Sequence, residues 1–210
     1  MTDYLIQPLF STPIYVCEDV EYRVNESEKN CINSILTSLA YNDNLMMSND
    51  AYVLRNLALR NILKLCQKHL NIYTKEVLRI QQDFYITNSW ITAKNKGQGH
   101  HKHNHQNCIF SGVFYINATE NMGGLTFHDK QGYLSNFNFG YSYDDFNIYN
   151  SSSWQFPVKT GTLIIFPSHL THSADKNEDD GTRIVIGFNS FVSGSFGMEE
   201  DALYCSQLSL

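Results

Sequence analysis

Charge is scarce in this chain: 17% of its 210 residues are Asp, Glu, Lys or Arg. Basic residues are the scarcer sign, 15 against 21 acidic ones, which gives a formal charge of −6 and a pI near 5.7. A broad nucleic-acid surface is therefore not expected, because such binding depends on many Lys and Arg neutralising phosphates. A small anion held by one buried Arg is still compatible with this balance. Long apolar runs are also missing. None approaches the roughly 20 residues that cross a bilayer, so a soluble protein is expected. MTDYLIQPLF at the start lacks a basic segment leading into an apolar one, so no secretory signal is expected. Cysteine is present but unpatterned: Cys17, Cys31, Cys66, Cys108 and Cys205 are odd in number and contain no C-x-x-C. That argues against a disulfide framework and a zinc ribbon. Reduced thiols in a cytoplasmic setting are the simpler expectation.

What the chain does have is aromatic residues, 13 Tyr and 13 Phe, as suits a strand-rich protein. The front third reads differently. After the extended LFSTPIYV, the stretch NESEKNCINSILTSLA predicts a helix capped by Asn25 or Ser27, with Cys31, Ile32, Ile35, Leu36 and Leu39 on its apolar side. A second helical stretch covers roughly residues 51–79, with a break expected at Asn71. From Phe84 onward come FYITNSWITAK, NCIFSGVFYINA, GGLTFHD, WQFPV, GTLIIFP and TRIVIGFNSFV, short β-branched and aromatic runs separated by turn residues. That is the pattern of a β-sandwich or barrel. Residues 135–153, polar and rich in Asn and Ser, read as a long loop of the kind that often forms lids. Helices first and strands later imply helices packed outside a β-sandwich. The expectation is one domain over 1–210, with 1–83 as mostly helical support and 84–195 as a jelly-roll core.

Four of the eight histidines fall in GHHKHNHQN, residues 99–107. Such a tract, taken alone, is commonly a polar surface loop. On an extended strand His101, His103 and His105 would share one side and His100 would face away. Two neighbours of that row can ligate one metal, and imidazole suits iron, zinc, copper or nickel. Both His103 with His105 and His101 with His103 are open as the pair. A third ligand must come from elsewhere. GTLIIFPSHLTH offers His169 and His172 just beyond a strong strand. Arg183 then heads the next apolar run, eleven residues after His172 (183 − 172). A guanidinium there is costly to bury without an anion, and it forks naturally onto a carboxylate. His69 and His128 read as packing or structural groups. Trp90 and Trp154 read as packing, with Trp154 placed to flank a substrate.

The order H-x-H, SGVFYIN, GGLTF, GTLIIFPSHLTH and R-x-V-x-G-F-N resembles the Fe(II)/2-oxoglutarate-dependent oxygenases, most nearly their prolyl-hydroxylase-like branch. It also resembles a family of small bacterial and viral 2OG-Fe(II) oxygenases. The likeness covers Trp90 to Phe191 well and the front helices loosely. It implies a double-stranded β-helix, mainly β with N-terminal helices. It implies Fe(II) held by His103, His105 and His172, and 2-oxoglutarate gripped by Arg183 and Tyr115, with Thr126 and Asn189 lining its pocket. The implied activity is a dioxygenase acting on a peptide, amino acid or small molecule, with succinate and carbon dioxide released. One departure stands out. The family's H-x-D is H-x-H here, so an imidazole replaces the carboxylate of the usual 2-His-1-carboxylate triad. Asp129 is an alternative carboxylate. Two other readings follow from the residues: a three-histidine, cupin-like dioxygenase without 2-oxoglutarate, and a non-catalytic jelly-roll binding module. No nucleic-acid or membrane partner is expected, and oligomeric state is not legible.

Overall fold

A computed structural model describes residues 5–38, 40–42, 45–128, 142–197 and 205–208. Twelve strands are present among them. In chain order they are β1 Tyr15–Cys17, β2 Ala40–Asn42, β3 Leu45–Met47, β4 Asp83–Lys94, β5 His100–His103, β6 Phe110–Asn117, β7 Leu125–His128, β8 Ser153–Phe156, β9 Leu163–Pro167, β10 Thr171–Ala174, β11 Arg183–Phe196 and β12 Cys205–Leu208. The larger antiparallel sheet runs β1-β9-β6-β11-β4-β3-β2, with β12 paired to β11; the smaller runs β5-β10-β7-β8. From β4 to β11 the chain therefore shuttles between the two sheets. This is the double-stranded β-helix that the strand pattern and the family resemblance implied.

Alternation along the strands builds two cores. In β6, Phe110, Phe114 and Ile116 face the helices, and Val113 and Tyr115 face the smaller sheet. In β9, Leu163 and Ile165 take the first side, and Ile164 and Phe166 the second. The period of two along a strand makes this division automatic. Fully burying side chains of this size contributes roughly 1.5–3 kcal/mol each.

Two α-helices cover the outer face of the larger sheet. The first, α1, spans Glu26–Thr37 and opens with a capping box: Asn25 accepts from the Glu28 N–H at 3.0 Å, and Glu28 accepts from the Asn25 N–H at 2.9 Å. Such a cap contributes about 1 kcal/mol. Of the two expected caps, Asn25 is the one used; Leu39 lies outside the described residues. The second, α2, spans Arg60–Asn71 and buries Ile62, Cys66 and Leu70, each four residues after the last. The break expected at Asn71 takes another form. The helix does not part there but widens into a π-turn over Ile72–Val77, and Arg79 ends it at φ 57°. Short 3-10 turns at Val53–Arg55 and Leu57–Leu59 occupy the start of the expected long helix. No helix among the described residues is long and apolar enough to cross a membrane. Of the expected loop at 135–153, residues 142–152 are irregular and Ser153 begins β8; residues 135–141 and Asp129 lie outside the described part.

Candidate metal centre

The histidine tract is only partly a strand. β5 ends at His103, and His105 lies beyond it, where its N–H donates to the Ser168 carbonyl at 3.0 Å. His172, in β10, sits directly across from His103. These three imidazoles converge: one ring nitrogen from each lies within 4.8 Å of the others, and the Nε2 atoms of His103 and His105 are 3.3 Å apart. His101 is exposed and stands outside the group. The simple alternation expected for the row does not hold. A bulge between His172 and Ala174 disturbs the pairing, and His100, expected to face away, stacks on the His103 ring at 4.2 Å.

Each converging ring is held by its other nitrogen. Nδ1 of His103 meets the His101 carbonyl at 2.9 Å, and Nδ1 of His172 meets the Leu170 carbonyl at 3.0 Å. A carbonyl only accepts, so both Nδ1 atoms carry the proton and both Nε2 atoms carry a lone pair. Nδ1 of His105 lies 2.7 Å from Oδ1 of Asn189 and 2.8 Å from Oγ of Ser111, while Ser111 itself donates to the same Oδ1 at 2.8 Å. That leaves His105 with the same tautomer. Trp90 packs edge-on against His105 at 5.5 Å, its indole lying where a Gly187 side chain would be.

Burial pushes all three imidazoles below the usual histidine pKa, His172 to about 3. Neighbouring ring charges push the same way. All three are neutral at pH 7, and their lone pairs face one another. Lone pairs at 3.3 Å repel unless a cation lies among them, so the donor set fits a borderline transition metal. The acceptors behind each ring are the outer-shell groups that fix metal-binding imidazoles. Among the described residues no carboxylate joins the three.

A buried guanidinium lies at the other end of β11. Arg183 is 2% exposed, and its guanidinium donates to the Met122 carbonyl, the Gly123 carbonyl at 3.1 Å and the Asp175 carbonyl at 2.9 Å. Among the described residues no carboxylate bonds to it. Gly123, at φ 77°, turns its carbonyl toward Arg183, and a Cβ there would strike the Lys176 carbonyl at 2.5 Å. Lys94 is the cross-strand neighbour of Arg183 and is buried too; burial, then the Arg183 charge, pushes its pKa down to about 8. Tyr115 is buried beside Val185, its hydroxyl pushed up to about 12 by burial. Two cations are thus buried side by side on paired strands, next to a buried tyrosine.

The structure thus brings His103, His105 and His172 together and places Asn189 behind His105. Arg183 and Tyr115 are buried on neighbouring strands. Thr126 it does not bring to this group: the residue faces away from Leu125 and Phe127 and donates to the Asp175 carboxylate at 2.9 and 3.0 Å. Lys94, Ser111 and the Trp90–His105 contact escaped the sequence reading. The one signal for Lys94 was a charge closing the apolar run ITA. His69 takes the packing role expected, its Nδ1 2.6 Å from the Tyr15 hydroxyl. His128 pairs with Ser173 at 2.8 Å.

Residues 88–189 match the model of a family described as "Putative 2OG-Fe(II) oxygenase". Solved structures share the fold at low identity. An oxidoreductase of the 2OG-Fe(II) oxygenase family from Burkholderia pseudomallei aligns at TM-score 0.56 and 12% identity, over 84% of this chain and 83% of that one. The non-heme alpha ketoglutarate dependent epimerase SnoN from nogalamycin biosynthesis aligns at 0.60 and 8%, over 87% and 80%. HygX from Streptomyces hygroscopicus, with nickel, 2-oxoglutarate and hygromycin B bound, aligns at 0.56 and 10%, over 85% and 82%. No curated protein matches the chain. The matched segment contains all three converging histidines, and over it the chain is similar to the 2OG-Fe(II) oxygenases.

Proposed function

We propose that the protein is an Fe(II)- and 2-oxoglutarate-dependent oxygenase whose metal is held by His103, His105 and His172. The observation that carries this is the tautomer lock: three Nδ1 protons are tied to acceptors, and three Nε2 lone pairs meet at one point. A surface histidine tract has no reason to be so arranged. Arg183, Lys94 and the Tyr115 hydroxyl would take the far carboxylate of 2-oxoglutarate. Asn189 and Ser111 orient His105, and Trp90 and Phe166 keep water from the imidazoles. Metal, 2-oxoglutarate and dioxygen together supply oxidising power toward a C–H bond, with succinate and carbon dioxide as co-products. The protein contributes position and a dry, cationic cavity. With three neutral ligands, the site is one unit more positive than a triad with a carboxylate, which favours a dianionic partner. Hydroxylation of a small molecule, amino acid or peptide is the outcome we assign.

Calorimetry on the nickel-loaded protein tests this without a substrate in hand. His172→Ala should lose metal binding. Arg183→Ala should keep the metal and bind 2-oxoglutarate at least about tenfold more weakly, the scale of a lost charge-assisted fork. The all-imidazole ligand set favours one second reading, a three-histidine dioxygenase without cosubstrate. Metal binding with no 2-oxoglutarate affinity in the unmutated protein would select it. No metal binding at all would leave only a binding module.

A further inference from the structure

A cleft of about 750 Å³ lies against the metal centre on the side away from Arg183, walled by Tyr52, Arg55, Tyr85, Asn88, Gln106 and Asn107 around Asn189. It shares a wall with the site. Asn189 turns its Oδ1 to His105, and Gln106 and Asn107 directly follow His105 in the chain.

The polar groups of this cleft are one-sided. Oδ1 of Asn189 is engaged by His105 and Ser111, while its Nδ2 bonds to no protein group among the described residues. Asn88 accepts from Thr87 at 3.2 Å through Oδ1, which likewise leaves its Nδ2 without a partner there. The hydroxyl of Tyr85 is buried with no hydrogen bond. The guanidinium of Arg55 lies 4.2 Å over the Tyr52 ring and forms no salt bridge among the described residues. Leaving a buried donor unmade costs about 1–3 kcal/mol; the Tyr85 hydroxyl is such a group, and the two amides and the exposed Arg55 guanidinium add N–H donors along the same cleft. No Asp or Glu lines the cleft, although the chain as a whole is acidic at −6. A cation entering it would find no counter-charge. An oxyanion would find one guanidinium and several N–H and O–H donors, with two phenol rings to flank its carbon frame.

We propose that this cleft binds an organic oxyanion, a carboxylate or phosphate ester on a small carbon skeleton, through Arg55, Tyr85 and the amides of Asn88 and Asn189. Calling that molecule the substrate rests on the oxygenase reading; its binding does not.

Three probes of similar size test the assignment: 4-hydroxyphenylacetate, phenyl phosphate and tyramine. Each is titrated by saturation-transfer NMR into the metal-free protein and into zinc-loaded protein saturated with 2-oxoglutarate. At least one anion should bind in both forms and tyramine should not; whichever anion is tighter distinguishes carboxylate from phosphate ester. Arg55→Ala should weaken the anion about tenfold or more, and Arg55→Lys should restore part of the loss. Tyr85→Phe removes one buried, unpaired hydroxyl, so it should weaken the anion several-fold while leaving the melting temperature of the free protein unchanged or raised. Tyramine binding as tightly as the anions, no anion binding, or an Arg55→Ala protein with unaltered affinity would each overturn the proposal. So would competition between the anion and 2-oxoglutarate, which would move the anion to Arg183. If the chain binds neither metal nor 2-oxoglutarate, the oxygenase reading fails, yet anion binding by the metal-free protein still decides this one.

Discussion

The three converging histidines differ in how their rings are held. His103 and His172 are fixed by main-chain carbonyls, which no substitution removes. His105 is fixed by the side chains of Asn189 and Ser111. Its orientation is therefore the mutable one. Asn189→Ala deletes the nearer acceptor and leaves the Ser111 hydroxyl, so the ring is loosened rather than freed. Metal affinity should fall by about 10- to 100-fold, the usual effect of losing an outer-shell partner, with the fold intact. Competition of the nickel-loaded protein against a chromogenic chelator reads this directly. An unchanged affinity would mean that the hydrogen bond to Asn189 does not hold the ring.

Elements carry the next level of control, most clearly where β6 and β11 pair. Gly112 lies opposite Phe188 and Val113 opposite Gly187, so two glycines of one strand pair serve opposite faces. A Cβ on Gly112 would lie 2.1 Å from the Phe188 ring, in the core under the helices. A Cβ on Gly187 would lie 2.6 Å from the Trp90 indole, which backs His105. Both alanine variants overpack, at a cost of about 1–3 kcal/mol. Gly112→Ala should spend that cost on global stability alone, with nickel affinity kept. Gly187→Ala should also lower nickel affinity, because the displaced indole pushes on a ligand. Urea unfolding and metal titration of the pair separate the two faces; equal loss of metal binding in both would contradict the two-core arrangement. Element scale is also where the sequence was most readable. The strand runs from Phe84 to Val192, the Asn25 cap and the excursion from His172 to Arg183 follow from local patterns, and local patterns leave marks in composition and spacing. The failures are tertiary. Alternation predicts one row of histidines along an uninterrupted strand, but the strand ends at His103, the pairing with His172 is bulged, and His100 stacks on His103. Thr126 sits one residue out of phase with its inward neighbours Leu125 and Phe127, a distinction that a GG turn of unknown geometry conceals. Nothing local says that Asn189 backs a ligand, since its partner is 84 positions away.

At the scale of the whole molecule, the fold sets an apolar core beneath the helices against a second core between the sheets, and buries two cations side by side on neighbouring strands. Lys94 and Arg183 are opposed across β4 and β11, both nearly sealed from water. Burial and the Arg183 charge lower the lysine pKa from 10.5 to about 8. The unfolded chain thus binds more protons than the folded one between pH 8 and 10.5, and stability must rise with pH across that window. Below pH 8 the folded state carries the full cost of the charged ammonium. Lys94→Met keeps the side-chain length and removes that cost. Its ligand-free form should therefore exceed the unmutated protein in stability most at pH 7, with the advantage shrinking as pH climbs from 8 toward 10. Urea midpoints at pH 7, 8, 9 and 10 measure the difference. A gap that widens with pH would show that the charged lysine stabilises the folded protein and that burial does not lower its pKa. A narrowing gap, joined to weaker 2-oxoglutarate binding by the same variant, would tie the cost of burying this ammonium beside Arg183 to the proposed cosubstrate site, because a bound anion offsets the desolvation of the cations it meets.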